Sequence, residues 1–370
     1  MNVVMLHYHL KTGGVTTVIR NAQRALAGQH DVRVLADFGY DDRPARSKST
    51  FLAEARSLLK KLPRTGFLHT HNIGLGKNPR LTCAVKLLAE QGRVRILNQV
   101  HDFPEEKRPT QLHALRYCTG KRDDKFCREL CYYDFPNVRW ATLTTTDAEK
   151  LAARDIPREK ISVLPNPVDD KFFAQPCRVD ARPVIAAYAR EYGYRFDQRK
   201  PFLLSPMKVM VRKNNAEAVA LIGKMRGWQL VISLDASSSR DKAYSEQLKQ
   251  RIRREKLPVV IGVGAAFENP LPLFHAADAV LTTSMPEGFG YAFLEGLLCG
   301  KLVVGRDIPG VTRDFAAAGV NLRHLYNEPN AGALAHFLAH APPRLIAHNR
   351  QVVLKEFSLC AYARRYATMW

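Results

Sequence analysis

The sequence predicts an α/β protein built from two Rossmann-like, doubly wound halves, and three observations predict it. Short apolar segments alternate with amphipathic ones along most of the chain, the signature of a parallel sheet covered on both faces. A polar stretch punctuated by Pro165, Pro167, Pro176, Pro183 and Pro201 divides that series in two. The length of 370 residues suffices for two or three domains, each with its own core.

The first half opens on a buried strand over 3–9, a Lys11-Thr12-Gly13-Gly14 turn and a helix over about 15–27. A strand over 31–36, a helix near 50–62, a strand over 66–71, a helix near 79–91 and a strand over 95–100 continue the alternation. After a charged insert at 103–139 come a strand over 140–145, a helix from about 147 and a strand over 161–164. The Pro-rich stretch contains one short helical run near 184–193 and reads as a connection between domains. Strands over 202–205, 229–234, 259–263, 279–282 and 302–305 then alternate with helices at 214–226, 241–255, 271–276 and 290–299. These boundaries give a first domain over 1–170, a linker over 171–200 and a second domain over 201–354. Doubly wound sheets bind ligands at the carboxyl ends of their strands, so two such halves are expected to face each other across a ligand cleft.

Composition narrows the function classes. Hydrophobic residues make up 46% and charged residues 25%, which excludes wholesale disorder. The start MNVVMLHYHL lacks the basic, apolar profile of a secretion signal, and no window has the roughly 18 apolar residues of a membrane span. Seven cysteines do not make a secreted disulfide framework. A cytoplasmic protein, possible at the inner face of the plasma membrane, is the expectation. The net charge of +21 predicts attraction to polyanions, whether nucleic acid, anionic lipid or phosphorylated small molecules. It is uneven: residues 1–100 hold 16 basic and 6 acidic side chains.

The most informative segment runs from Ser284 to Gly296, SMPEGFGYAFLEG, at the end of the strand over 279–282. Its glycines let backbone amides approach a ligand at a helix start, where free N–H groups favour an anion or a hydroxyl-rich group. Glu287 precedes that helix and Glu295 lies eight residues on, about two turns at 3.6 residues per turn. Carboxylates so separated suit two hydroxyl pairs of one elongated ligand better than a shared proton or metal. Lys208, Arg212 and Lys213 form a basic cluster after the strand over 202–205. His101 ends the strand over 95–100, and His69, His71 and Asn72 end the strand before it.

The run PEGFGYAFLEGLLCGKLVVGRDIPG resembles the Glu-x7-Glu signature of retaining, nucleotide-sugar-dependent glycosyltransferases of family four, which have the GT-B fold. Gly13-Gly14-Val15 resembles their first glycine-rich loop, and VLPNPVD at 163–169 resembles the segment ending their first domain, with Pro167 in place of the usual Gly. FHAAD at 274–278 resembles the element before the motif strand. The resemblance implies that Glu287 binds hydroxyls of the transferred hexose while backbone at Gly288, Phe289 and Gly290 holds sugar and phosphate. Glu295 would accept from the ribose, a task suited to a carboxylate facing vicinal hydroxyls. Gly14, Lys208, Arg212 and Lys213 would hold the diphosphate; Lys208 replaces the family's Arg, a point charge for a planar fork. His101 would touch the sugar near the reacting carbon, making His101, Glu287 and Lys213 the implied catalytic set. His69, His71 and Asn72 are candidates for the acceptor side, or equally core-edge residues. The first domain would take the acceptor, the second the nucleotide sugar, and a helix over 355–370 would cross back to the first domain.

No Asp-x-Asp metal motif and no nucleophile triad appear, so front-face transfer without a metal or cofactor is the expected mechanism, by resemblance. Cys118, Cys127 and Cys131 form a C-x8-C-x3-C cluster near His113. That spacing is not a standard zinc pair of pairs, which places free thiols before a zinc site. In the basic first hundred residues, Leu52, Ala55, Leu59 and Leu62 share a stripe while Arg56, Lys60 and Lys61 lie off it; Lys77, Arg80 and Lys86 extend the charge. The stretch 51–86 could lie on an anionic membrane, or simply cover the sheet with a solvated basic face. Two other classes remain open: a nucleotide-sugar epimerase of the same two-domain shape, and a non-enzymatic polyanion or nucleic-acid binder. The Glu-x7-Glu spacing argues against the first, and the absence of a recognition motif against the second. The donor sugar, its base and the acceptor are not written in the sequence.

Overall fold

The strands β1 (Asn2–Leu6), β2 (Asp31–Leu35), β3 (Phe67–His71), β4 (Arg95–Val100), β5 (Val138–Thr142) and β6 (Ile161–Val163) form one parallel sheet in the order β2-β1-β3-β4-β5-β6. A second parallel sheet has the order β11-β10-β7-β8-β9, from β7 (Phe202–Lys208), β8 (Gln229–Leu234), β9 (Val259–Ile261), β10 (Ala279–Thr282) and β11 (Leu302–Gly305). The computed structural model describes residues 2–11, 13–106, 108–285 and 287–369, the Arg240 side chain excepted. Thr12 and Pro286, from the two glycine-bearing motifs, and Trp370 lie outside them. The chain divides into one unit of residues 1–167 with 359–370 and a second of 168–358.

In the first unit apolar residues fill both sheet faces. Leu6, Leu68, Ile96, Val138 and Trp140 pack with Leu81, Val85 and Leu88 of the helix Pro79–Glu90. On the other face Val3, Met5, Phe67, Leu97 and Ala141 meet Ile19, Ala22 and Leu26 of the helix Gly14–Leu26, together with Tyr362, Ala363 and Tyr366. These last three belong to the C-terminal helix Leu359–Ala367. The crossing expected from residue 355 comes at Ser358, which bridges to Val168, because the helix Pro343–Phe357 stays in the second unit.

Three expectations need correction. The stretch 171–200 is not a free connector: its helix Ala181–Glu191 buries Ala181, Ile185 and Ala189, and Arg182 bonds to Asp278, placing it in the second unit. Pro183, read as punctuation, sits in that helix's first turn, where a missing N–H costs nothing. The strand expected over 3–9 ends at Leu6, so His7 and His9 leave the sheet for its carboxyl edge. The helix expected near 50–62 is Lys48–Leu59, with Phe51 and Ala55 buried and Leu52, Leu58 and Leu59 packed on core clusters. Its apolar stripe is therefore spent inside the unit rather than offered to a bilayer, and Arg80 and Lys86 pair with Glu54 and Glu90. No helix among the described residues is long and apolar enough to cross a membrane.

The insert forms the helices Pro109–Arg116 and Asp124–Cys131. Cys118, Cys127 and Cys131, with Cys83, are buried beside Phe51, Leu115 and Leu130, all as free thiols. His113 stacks on Tyr117 with ring centroids 4.3 Å apart.

In the second sheet β10 and β11 approach so closely at their carboxyl ends that only glycine fits at 305. Gly305 has φ +129°, and a Cβ there would lie 1.9 Å from the Thr282 carbonyl oxygen. That oxygen accepts from Arg306 N at 2.8 Å and cannot retreat without unpairing the strands. Gly305→Ala should therefore cost about 3 kcal/mol or more, read as a lower urea midpoint; an unchanged midpoint would show that the edge is not rigid.

Candidate active site

Chain order sets where each sheet can hold a ligand. In the second sheet β7 leads to β8 and β9 on one side, while β10 and β11 lie on the other. The crevice between the carboxyl ends of β7 and β10 is thus its switch point, the place where such sheets bind ligands. β7 extends three residues beyond the expected strand and ends at Lys208, whose Nζ donates to Ser237 Oγ at 3.2 Å.

Two loops leave this point and are stitched together. After β7 a short 3-10 turn, Val211–Lys213, ends at Asn214 in the left-handed region (φ 50°), a conformation asparagine tolerates. Thr283, just beyond β10, donates its hydroxyl to the carbonyls of Lys213 and Asn214 at 3.0 and 3.1 Å. Met285 N donates to Arg212 O at 3.1 Å. Asn214 Nδ2 donates to Glu217 Oε2 at 2.8 Å, and the same carboxylate takes Arg306 and the Tyr326 hydroxyl. Sequence reasoning missed Thr283, which carries no local signal, and Glu217, although Asn214-x-x-Glu217 has the spacing of a capping box.

This stitching brings together three predicted residues. Lys213 is buried and its ammonium contacts Glu287 Oε1; Arg212 Nη1 stands 3.6 Å from Glu287 Oε2. Burial lowers the Lys213 pKa, and Glu287 opposes that shift. Beyond Glu287, Gly290 (φ 83°) starts the helix Tyr291–Leu298; a Cβ at Gly290 would lie 3.0 Å from Val311 Cγ1. The Phe289 ring is in the core against Phe315 and Phe357, which leaves only the backbone of 288–290 for a ligand. Glu295 is the sole motif carboxylate on the helix itself. Desolvation pushes its pKa up to about 7, with no cation to oppose it. The two glutamates therefore differ in kind, one paired with cations and one waiting for hydrogen-bond donors.

In the first unit Asn72, left-handed at φ 59°, accepts from the backbone N–H of His101 and Asp102 at 3.2 and 3.1 Å. It fixes the turn after β4 and so acts on position rather than as an exposed ligand. His101 Nε2 lies 3.3 Å from His71 Nδ1. His69 is fully buried, its Nε2 3.0 Å from Gln99 Oε1 and its ring 5.4 Å from that of Tyr366. It is a core residue, which corrects its assignment to the acceptor side; β3 is covered on both faces. Burial lowers the pKa of His101 to about 4 and holds that of His71 well below its ordinary value, so both are neutral at neutral pH. Gly14 opens the helix Gly14–Leu26, whose first turn has no acid and whose cap lacks a side-chain bond. A Cβ on Gly14 would meet nothing within 4 Å.

A family model described as glycosyl transferases group 1 matches residues 214–341. The chain is 27% identical over 346 residues to mannosylglucosyl-3-phosphoglycerate synthase of Petrotoga mobilis, covering 85% of this chain and 66% of the length of that relative. In structure it is similar to Anabaena HepE in complex with UDP-glucose, with a TM-score of 0.71 at 15% identity over 99% of this chain and 98% of that one. A glycosyltransferase from Rickettsia africae gives a TM-score of 0.68 at 15% identity, covering 99% and 96%. At such identities the structural likeness speaks for the fold, and the family match speaks for the segment that carries both glutamates. By that fold the chain has the GT-B architecture, and its segment 214–341 is similar to the group 1 glycosyltransferases.

Proposed function

We propose that the protein transfers a hexose, with retention of anomeric configuration and without a metal, from a nucleoside-diphosphate sugar to a hydroxyl acceptor. The observation that carries this reading is the convergence of Lys213 and Arg212 on Glu287 at the switch point of the second sheet. Cations and a hydroxyl-binding carboxylate are what a diphosphate joined to a sugar needs side by side. HepE, solved with UDP-glucose and with UDP, supports a nucleotide-sugar donor.

The roles follow from the chemistry of each group. A donor exchanges the Lys213–Glu287 contact for diphosphate oxygens on Lys213 and sugar hydroxyls on Glu287. Arg212 and Lys208 add charge to the same leaving group, and Glu295 accepts from the ribose diol. As the bond from anomeric carbon to phosphate oxygen breaks, the departing oxygen takes the acceptor's proton. The acceptor oxygen bonds the carbon on the face just vacated. Stabilising that diphosphate is the main electrostatic task, and Lys213, released from Glu287 when the donor binds, is already in place as the bond breaks. His101, neutral, contributes a hydrogen bond to the sugar rather than a charge.

Lys213→Met should lower kcat by about 10²–10³-fold, the range found when one preorganised donor is removed, and Glu287→Gln should act similarly. The measurement is nucleotide release from UDP-, GDP- and ADP-sugars, with the product's anomeric configuration read by NMR. Turnover at the wild-type level in both variants would sink the reading. Glu295 adds a pH dependence. Its folded pKa near 7 lies above the ordinary 4.5, so the cost of burying its ionised form is absent below pH 4.5 and complete above pH 7. Glu295→Gln should accordingly raise Tm by a few degrees above pH 7 and leave it unchanged near pH 4 while weakening nucleotide binding. Equal Tm values across that range would mean the carboxylate is not desolvated.

A further inference from the structure

The first sheet has its own switch point, between β1 and β3, since β1 leads to β2 on one side and β3 begins the other. The loops leaving it carry His7, His9 and Lys11 after β1, Tyr40 after β2, and Lys77 after β3. Tyr40 is the hub. His9 Nδ1 accepts from Lys11 N at 3.2 Å, so the other ring nitrogen is the donor, and Nε2–H donates to Tyr40 Oη at 2.6 Å. Lys77 Nζ donates to the same oxygen at 2.8 Å and lies 4.6 Å from the ring centroid. Both lone pairs of the phenol oxygen are thereby used, leaving its own O–H as a donor.

The remaining polar groups are donors too. Lys77 keeps two N–H groups, Lys11 its ammonium, and neither forms an ion pair with a carboxylate among the described residues. The acid next to Tyr40 in sequence, Asp41, is held by Arg43 at 3.0 Å and Arg80 at 3.4 Å. The charged neighbours acting on His7 and His9 are cationic, Lys77 on both and Lys11 on His9. The cluster is also held in shape. Gly39 N donates to Tyr8 O and Asp41 N to Lys77 O, both at 2.9 Å, and Asn78 Nδ2 donates to Gly39 O at 3.2 Å. The Tyr40 ring stands edge-on to buried Tyr8 with centroids 5.8 Å apart, yet Tyr40 is 53% exposed. A preorganised set of donors open to solvent, with no carboxylate paired to its lysines among the described residues, is complementary to a compact oxyanion.

We propose that Tyr40, Lys77, His9 and Lys11 bind a phosphate group of the acceptor, anchoring it on the first unit. This rests on the transferase reading, to which it adds the acceptor's chemical class. The phosphate could belong to a soluble acceptor or to a lipid headgroup, and one set of variants separates the two. Inorganic phosphate is titrated calorimetrically into the full chain with UDP, GDP or ADP held at saturation, which removes the diphosphate site from competition. The same proteins are then sedimented with vesicles of phosphatidylglycerol in phosphatidylcholine. Lys77→Gln should weaken phosphate binding about tenfold or more, and Tyr40→Phe, which frees Lys77 from its hub, severalfold. Nucleotide affinity should stay at the wild-type value. Weakened binding of free phosphate supports a soluble acceptor; weakened vesicle binding alone supports a lipid-borne phosphate. If both variants bind phosphate and vesicles as the wild type does, the proposal is overturned. If no nucleotide binds while phosphate still depends on Lys77, the transferase reading fails and the anion site stands.

Discussion

The Thr283 hydroxyl, shared between the carbonyls of Lys213 and Asn214, is the contact on which the second unit's site depends. It ties the loop after β7 to the loop after β10, so that a lysine from one and a glutamate from the other meet in a mostly buried position. A charge so placed is costly unless paired, and breaking a buried pair by deleting one partner typically costs about 3–5 kcal/mol. Lys213 and Glu287 therefore hold each other in geometry as much as they wait for a substrate. Glu217 extends the same logic: by taking Asn214, Arg306 and Tyr326 at once it fixes the far side of the lysine loop.

The two motif glutamates show how eight residues of one segment acquire different chemistry. Glu287 lies ahead of the helix, where Lys213 and Arg212 reach it. Glu295 lies inside the helix, one turn past its start; no cation offsets its desolvation and its pKa rises. A carboxylate that costs stability when ionised gains most from new hydrogen-bond donors. Two adjacent ribose hydroxyls would relieve that cost on binding, an instance of stability given up where function needs it.

Much of this was legible in the sequence, for identifiable reasons. Apolar runs and their alternation with helices mark the doubly wound sheets, and the motif glycines mark the turns, because both signals are local. The candidate residues of the second unit could be named together because Lys208–Lys213 and Glu287–Glu295 each lie within one short segment, and the contact of Lys213 and Arg212 with Glu287 joins those two segments. What escaped is non-local or ambiguous at short range. His69 could not be assigned to core or surface because β3 is buried at all five positions, so alternation gives no face. The stretch 171–200 read as a linker because proline in a helix's first turn looks the same in sequence as proline in a loop. Tyr40, His9 and Lys77 come from three loops more than 30 residues apart, and no spacing rule joins them.

The basic surplus of the first hundred residues acquires meaning only through such placement. With 16 basic and 6 acidic side chains there, local pairing cannot neutralise the surface, and three of the acids are already engaged: Asp41 and Glu54 on Arg80, and Glu90 on Lys86 one helical turn away. At physiological salt, charges beyond about 8–10 Å are largely screened. The lysines off the packed stripe of the helix Lys48–Leu59 and its continuation thus add a diffuse attraction and little selectivity. Discrimination falls to cations in direct contact with the ligand. Lys77, held on the Tyr40 phenol oxygen and in no ion pair among the described residues, is the cation the proposed site would use for such a contact, because its charge is fixed in direction.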